Sequence, residues 1–100
     1  MSSVLKGAPE ASESHRLALV QVRLLHFASF RDAVGRDEES RQLPDGSCVQ
    51  DLWTTLTREV SFFARFASMP PAAVNREYAP AGTVLRDGDE VAFLPPVAGG

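Results

Sequence analysis

Ser47-Cys48-Val49-Gln50-Asp51-Leu52-Trp53-Thr54-Thr55-Leu56-Thr57-Arg58-Glu59-Val60 is the segment that decides the fold. Val49, Leu52, Trp53, Leu56 and Val60 recur at i, i+3, i+4, i+7 and i+11, one stripe of an amphipathic helix. Pro44-Asp45-Gly46 ahead of it is a turn signal. Ser47 then reads as the N-cap, with Gln50 three residues on completing a capping box. Beyond the helix, Phe62, Phe63, Phe66 and Met69 continue the apolar content and are expected to close one end of the core. Pro70-Pro71 breaks that run.

Outward from this helix the period changes from helical to alternating. Ala18 to Phe27 reads as a strand, with Val20, Val22 and Leu24 on one face and Gln21 and Arg23 on the other. Ala28 to Val34 reads as a short helix stopped by Gly35 at a C-cap position. Asp37 to Leu43 is polar and suits an edge strand, where charge discourages unwanted pairing. Downstream, Ala72 to Asn75 reads as a short strand and Tyr78 to Leu85 as a turn plus another. Arg86-Asp87-Gly88-Asp89 is a turn. Glu90 to Leu94 is the final strand, ended by Pro95-Pro96, which have no N–H to give a ladder. One main helix among several strands predicts an α+β domain with the helix packed across one sheet face. Residues 1–16 mix Ser, Glu, Pro and Gly without apolar periodicity and are expected to be a disordered extension to a single domain over 17–100.

Composition narrows the function classes. One hundred residues, 44% hydrophobic, make one small domain with little room for a deep active-site cavity. The net charge is -3 and no basic run occurs, so nucleic acid is not an expected partner. No apolar stretch approaches bilayer length and the N-terminus lacks the pattern of a secretory signal, so no membrane partner is expected. A single cysteine, Cys48, excludes an internal disulfide and points to a reducing, cytoplasmic setting. The basic residues are nine Arg and one Lys, Lys6; from Leu17 onward there is no lysine. Codon bias produces such a composition. It also suits a domain with an activated C-terminus, which benefits from lacking nucleophilic amines.

Side-chain chemistry is sparse. His15 lies in the N-terminal extension, and His26 at the end of the first strand reads as a packed or partly solvated side chain rather than a general base. Cys48 sits at the first turn of the main helix with no His partner close in sequence. One Cys and two separated His give no zinc spacing, and Gly82 and Gly88 stand alone rather than in a phosphate loop. Glu38-Glu39 and Asp89-Glu90 read as solvated charges.

The chain end is different. Val97-Ala98-Gly99-Gly100 comes after a strand and a Pro-Pro stop. A Gly-Gly pair is expected by chance at about 0.5% of positions, from an average glycine usage of roughly 7%. Without Cβ atoms such a tail is thin and threads narrow channels. Its α-carboxyl, with an ordinary pKa of about 3.3–3.7, is a carboxylate at neutral pH and a poor electrophile. To transfer anything it must first be activated by a partner, for instance as an acyl-adenylate from ATP. A sulfur nucleophile can then replace the adenylate and leave a C-terminal thiocarboxylate.

The first strand running into Phe27-Ala28, with Arg31 and Gly35 after it, Leu52 and Leu56 on the main helix, Ala73-Val74-Asn75, Asp87-Gly88-Asp89-Glu90-Val91 and the tail from Phe93 to Gly100 together resemble one family. It is the ubiquitin-like β-grasp sulfur carriers, most closely the small subunits of molybdopterin synthase. The resemblance covers roughly residues 18–100. It implies a β-grasp fold, a mixed sheet packed on one main helix with a C-terminal Gly-Gly tail. It further implies that Gly100 is adenylated by an activating enzyme of the ubiquitin-activating type. A sulfur donor protein then converts it to a thiocarboxylate. The tail enters the large subunit of the synthase and donates sulfur to cyclic pyranopterin monophosphate, in a heterotetramer. No stably bound cofactor is implied, only the ATP used by the activating partner.

Carried over to this chain, Gly100 bears the sulfur, Gly99 gives clearance, and Pro95 and Pro96 stiffen the exit from the sheet. Phe93, Leu94, Val97 and Ala98 accompany them as partner contacts. Leu94 stands where the family usually has a large apolar residue, often Phe. Arg31 matches an arginine near the partner surface. By alternation Leu94 and Ala92 share one sheet face, Phe93 and Val91 the other. Other recipients remain open at this point, in thiamine, cysteine or tRNA thiolation chemistry, as does a ubiquitin-like modifier or non-covalent binding module.

Overall fold

The computed structural model of the chain describes residues 18–96. Its elements are β1 (Leu19–Leu25), α1 (Ala28–Val34), β2 (Glu38–Pro44), α2 (Val49–Glu59), α3 (Ser61–Ala64), β3 (Ala72–Val74), β4 (Glu77–Ala79) and β5 (Glu90–Phe93). The extension expected over 1–16 lies outside the described residues, as do Val97, Ala98, Gly99 and Gly100.

The strands form one mixed sheet in the order β2-β1-β5-β3-β4. β1 pairs antiparallel with β2, from Leu19 opposite Pro44 to Leu25 opposite Glu38. On its other side β1 pairs parallel with β5, Leu24 opposite Val91 and Leu25 opposite Ala92. β5 pairs antiparallel with β3, Ala72 opposite Phe93 and Val74 opposite Val91. The last strand in sequence therefore lies at the centre of the sheet. The polar β2 is an edge, as its charges suggest, with Leu43 its buried anchor.

The alternation read from β1 is the observed one. Val20, Val22 and Leu24 are buried and Gln21 and Arg23 face water. Val49, Leu52, Trp53 and Leu56 of α2 are buried against the inner residues of β1 and β5. Phe30 of α1 and Phe63 of α3 seal the end of the core, their rings edge to face at 4.9 Å between centroids. Trp53 lies 5.4 Å from Phe63 and 5.1 Å from Phe93. Such aromatic pairs add about 0.5–1.5 kcal/mol each to the burial of their area. α1 ends at Gly35, left-handed at φ 87, whose N–H donates to the Arg31 carbonyl at 2.7 Å.

Two local expectations are corrected. α2 is capped by Cys48, not Ser47: the Cys48 N–H donates to Asp51 Oδ2 at 2.9 Å, and the Asp51 N–H donates to the Cys48 sulfur. The Cys48 backbone N–H first, and the nearby Cys48 thiol second, hold the Asp51 carboxyl below the usual carboxylate range. Ser47 is instead tied into the preceding loop, its N–H on the Pro44 carbonyl and its carbonyl accepting from the Leu85 N–H. Gln50 turns along the helix and donates to Thr54. Second, the strand expected within Tyr78–Leu85 is Glu77–Ala79. From Pro80 to Leu85 the chain is loop, bridged at Val84 to Cys48 and accepting the Val49 and Gln50 N–H groups on its Thr83 and Ala81 carbonyls. The apolar run after Val60 closes the core as expected, and it contains a four-residue helix because Val60 is extended and restarts the chain at a new angle.

Candidate functional site

The last described residues leave the centre of the sheet. Phe93, expected as a partner contact, is a core residue instead: it is 2% exposed and packs on Trp53. The alternation of β5 sends it inward with Val91. Leu94 faces the other way and is half-buried; its N–H donates to the Pro71 carbonyl at 2.8 Å and extends the β3–β5 ladder by one bond. Pro95 and Pro96 then end the ladder. Pro96 is exposed and lines a hollow with Phe66, Met69, Pro70 and Pro71. The tail is thus aimed by β5, the Leu94 bond and the two prolines before it leaves the described residues.

The outer face of the sheet beside this exit carries an apolar groove. Leu25, Phe27, Ala73, Ala92 and Leu94 line it, and Arg76 and Glu90 stand at its rim. Its volume is about 200 Å³, below the roughly 300–1,000 Å³ usual for small-molecule pockets. It suits an inserted side chain better than a substrate. Phe27 is 47% exposed there, an apolar ring left in water while Phe30, Trp53, Phe63 and Phe93 are buried in the core. Leu25 and Phe27 also line the adjoining hollow that holds Arg31, so one continuous strip runs from Leu94 to Arg31. Arg31 is exposed and pairs with Asp37 at 2.7 Å.

Phe27, Leu25, Ala73, Ala92 and Arg76 were not singled out as site residues from the sequence alone. The signal for Phe27 was present. Continuing the alternation of β1 sends residue 26 inward and 25 and 27 outward.

The rim is held by the β3–β4 turn. Asn75 and Arg76 both have positive φ, 53 and 73, as a two-residue hairpin turn of the primed type requires. Asn75 ties the turn to the start of β5. Its side-chain carbonyl accepts the Glu90 N–H at 3.0 Å, and its side-chain amide donates to Asp89 Oδ1 at 2.9 Å. Glu90 takes Arg23 Nη2 at 2.6 Å and lies 3.8 Å from Arg76 Nε.

His26 is buried, stacked on Phe63, with Nε2 2.7 Å from Glu39 Oε2. It is a packed side chain joining β1 to β2, away from the tail exit. Cys48 is occupied in the α2 cap. Among the described residues no group of three or more His, Cys, Asp or Glu is arranged to hold a metal ion, and no helix is long and apolar enough to cross a membrane. The described side chains thus offer an apolar strip beside the end of β5.

A mixed sheet with its first and last strands parallel at the centre and one main helix across its inner face defines a ubiquitin-like β-grasp domain. The chain belongs to the ThiS family, which it matches over residues 24–100. It is 36% identical over 83 residues to the molybdopterin synthase sulfur carrier subunit of Mycobacterium tuberculosis, covering 82% of this chain and all of that one. The fold is similar to that of molybdopterin converting factor subunit 1 from Pyrococcus furiosus, with a TM-score of 0.69, 35% identity and coverage of 78% of this chain and 99% of that one. A likeness of fold alone extends to a chain in the complex of subunits 1 and 2 of the molybdopterin-converting factor from Helicobacter pylori. There the TM-score is 0.53 at 23% identity, over 81% of this chain and all of that one.

Proposed function

We propose that this chain is the sulfur carrier subunit of a molybdopterin synthase, with residues 17–100 as the carrier domain. The Gly100 carboxylate attacks ATP in an activating enzyme of the ubiquitin-activating type, giving an acyl-adenylate and pyrophosphate. A sulfur nucleophile supplied by a donor protein displaces AMP and leaves a thiocarboxylate. The tail, with Gly99 and Ala98 thin enough to thread and Val97 behind them, enters the large subunit. There it gives its sulfur to cyclic pyranopterin monophosphate. Pro95 and Pro96 fix its direction. The strip from Leu94 through Phe27 to Arg31 is the docking surface for the large subunit, in a heterotetramer working in the cytoplasm.

The observation that carries this reading is the position of β5. A strand held by β1 on one side and β3 on the other runs into Leu94, which itself lines an apolar strip, and this supports the reading. The likeness to named molybdopterin synthase sulfur carrier subunits supports the choice of recipient. The test is the intact mass after incubation with an activating enzyme, ATP and a sulfur source. Replacement of one oxygen by sulfur is expected, lost entirely when Gly100 is deleted. An unchanged mass under conditions that convert the Mycobacterium relative overturns the reading.

A further inference from the structure

The Asn75-Arg76 turn carries a long side chain where its backbone favours none. Both residues have positive φ, 53 and 73. In a two-residue turn of this kind Asn-Gly is the favoured pair, because the second position crowds a Cβ. Asn75 suits its place and is bound to Asp89 and to the Glu90 N–H. Arg76 holds a conformation that glycine takes without strain. A side chain kept on a strained backbone points to a use for that side chain.

Within the domain Arg76 has little to do. Its side chain is 86% exposed, and its Nε lies 3.8 Å from Glu90 Oε2, beyond hydrogen-bond distance. Glu90 is already engaged, since Arg23 Nη2 donates to its other oxygen at 2.6 Å. Two guanidiniums thus share one carboxylate, and the rim keeps a positive charge. Arg31, at the far end of the strip, differs: its Nε is 2.7 Å from Asp37 Oδ1, so its charge is matched in place. A pair as loose and exposed as Arg76 with Glu90 adds little stability. The fold therefore does not account for an arginine at 76.

Its position does. Arg76 stands at the rim of the apolar groove lined by Leu25, Phe27, Ala73, Ala92 and Leu94. An apolar side chain entering that groove brings its own neighbours within reach of the guanidinium. The guanidinium offers a planar fork of N–H donors that matches a carboxylate. We propose that Arg76 is a specificity-determining residue of the docking strip: it pairs with a carboxylate of the large subunit that lies beside the apolar side chain filling the groove. The inference rests on the proposed docking of the large subunit to this strip. Apolar contact holds the complex, while the Arg76 charge guides encounter and rejects a partner with a basic rim.

The test follows association of the full-length chain with the molybdopterin synthase large subunit of the same organism, at low and high salt. Arg76→Gly is expected to leave the thermal melt level or raise it, yet to weaken binding about fivefold at low salt, mostly in the association rate. Arg76→Glu should weaken it about twentyfold. Reversal of one acidic residue at the large-subunit interface to arginine should then restore binding to the Arg76→Glu chain. The deficit of Arg76→Gly should shrink as salt rises and screens the pair. Equal affinity of Arg76→Gly and the unaltered chain overturns the proposal. So does a deficit indifferent to salt, a melt that falls together with binding, or the lack of any acidic position whose reversal rescues Arg76→Glu. These failures leave the carrier reading standing. If the unaltered chain itself does not bind the large subunit, that reading fails and the role of Arg76 falls with it.

Discussion

β5 serves two surfaces at once, and they are built to different rules. On its inner side Val91 and Phe93 lie in a core of Leu24, Leu56, Trp53, Phe30 and Phe63, each 3% exposed or less. On its outer side Ala92 and Leu94 line a shallow groove with Leu25, Ala73 and a half-exposed Phe27. The inner surface is large rings in contact with one another, so any lost atom leaves a void. The outer one is small residues flanked by a few larger ones, with space for a guest. Neighbouring residues on one strand thus serve a tight core in one case and, under the proposed function, association in the other.

Three substitutions try that division. Phe93→Ala removes a ring packed on Trp53 and is expected to cost about 3–5 kcal/mol in chemical denaturation. A loss below about 1 kcal/mol would mean that the inner face is not the tight core described. Leu94→Glu puts a charge in the groove beside the tail. Binding to a molybdopterin synthase large subunit should weaken by more than about tenfold, over roughly 1.4 kcal/mol, while the melting temperature moves little, since the side chain is half in water already. Unaltered binding, or collapse of the fold, removes the distinction between the faces.

The smallest effect lies at the far edge. The Arg41 guanidinium, hydrogen-bonded to Glu59, holds that carboxyl below its usual range. A depressed folded pKa contributes stability above the unfolded value and loses it as pH falls through the folded one. Glu59→Gln should therefore lower stability at neutral pH, by less than about 1 kcal/mol given the exposure of Glu59. The gap should close as the medium is acidified below the ordinary glutamate range. A gap that widens in acid would reverse the assigned sign, and neither face of the sheet should register the change.

Much of the fold was legible in periodicity. Val20, Val22 and Leu24 alternate, Val49, Leu52, Trp53 and Leu56 repeat at helical spacing, and both patterns are the observed core. The alternation across Val91, Ala92, Phe93 and Leu94 also assigned faces correctly, yet Phe93 was still grouped with the partner contacts. Its burial beside Trp53 comes from elements distant in sequence. The α2 cap was misplaced for a similar reason. Ser47 is the better capping residue by local preference, but the Leu85 N–H claims its carbonyl and Val84 bridges to Cys48. A contact from the 80–85 loop shifts the helix start by one residue, and nothing within 44–50 announces it. The end of the last strand was legible because Pro95-Pro96 is a local signal. The strip around Phe27 was not, since it gathers residues from β1, β3 and β5 and the turn between β3 and β4.

The central place of β5 also bears on synthesis. Chains fold from the N-terminus as they emerge from the ribosome. Here β1 and β3 must wait, because the strand that joins them is made last. A product broken off before Glu90 lacks both central ladders and exposes the apolar sides of β1 and β3, a state open to proteolysis. A ribosome that stops early thus yields a chain that cannot close its sheet. Copies that survive have been translated at least through β5, so the architecture screens out chains that stop before their central strand.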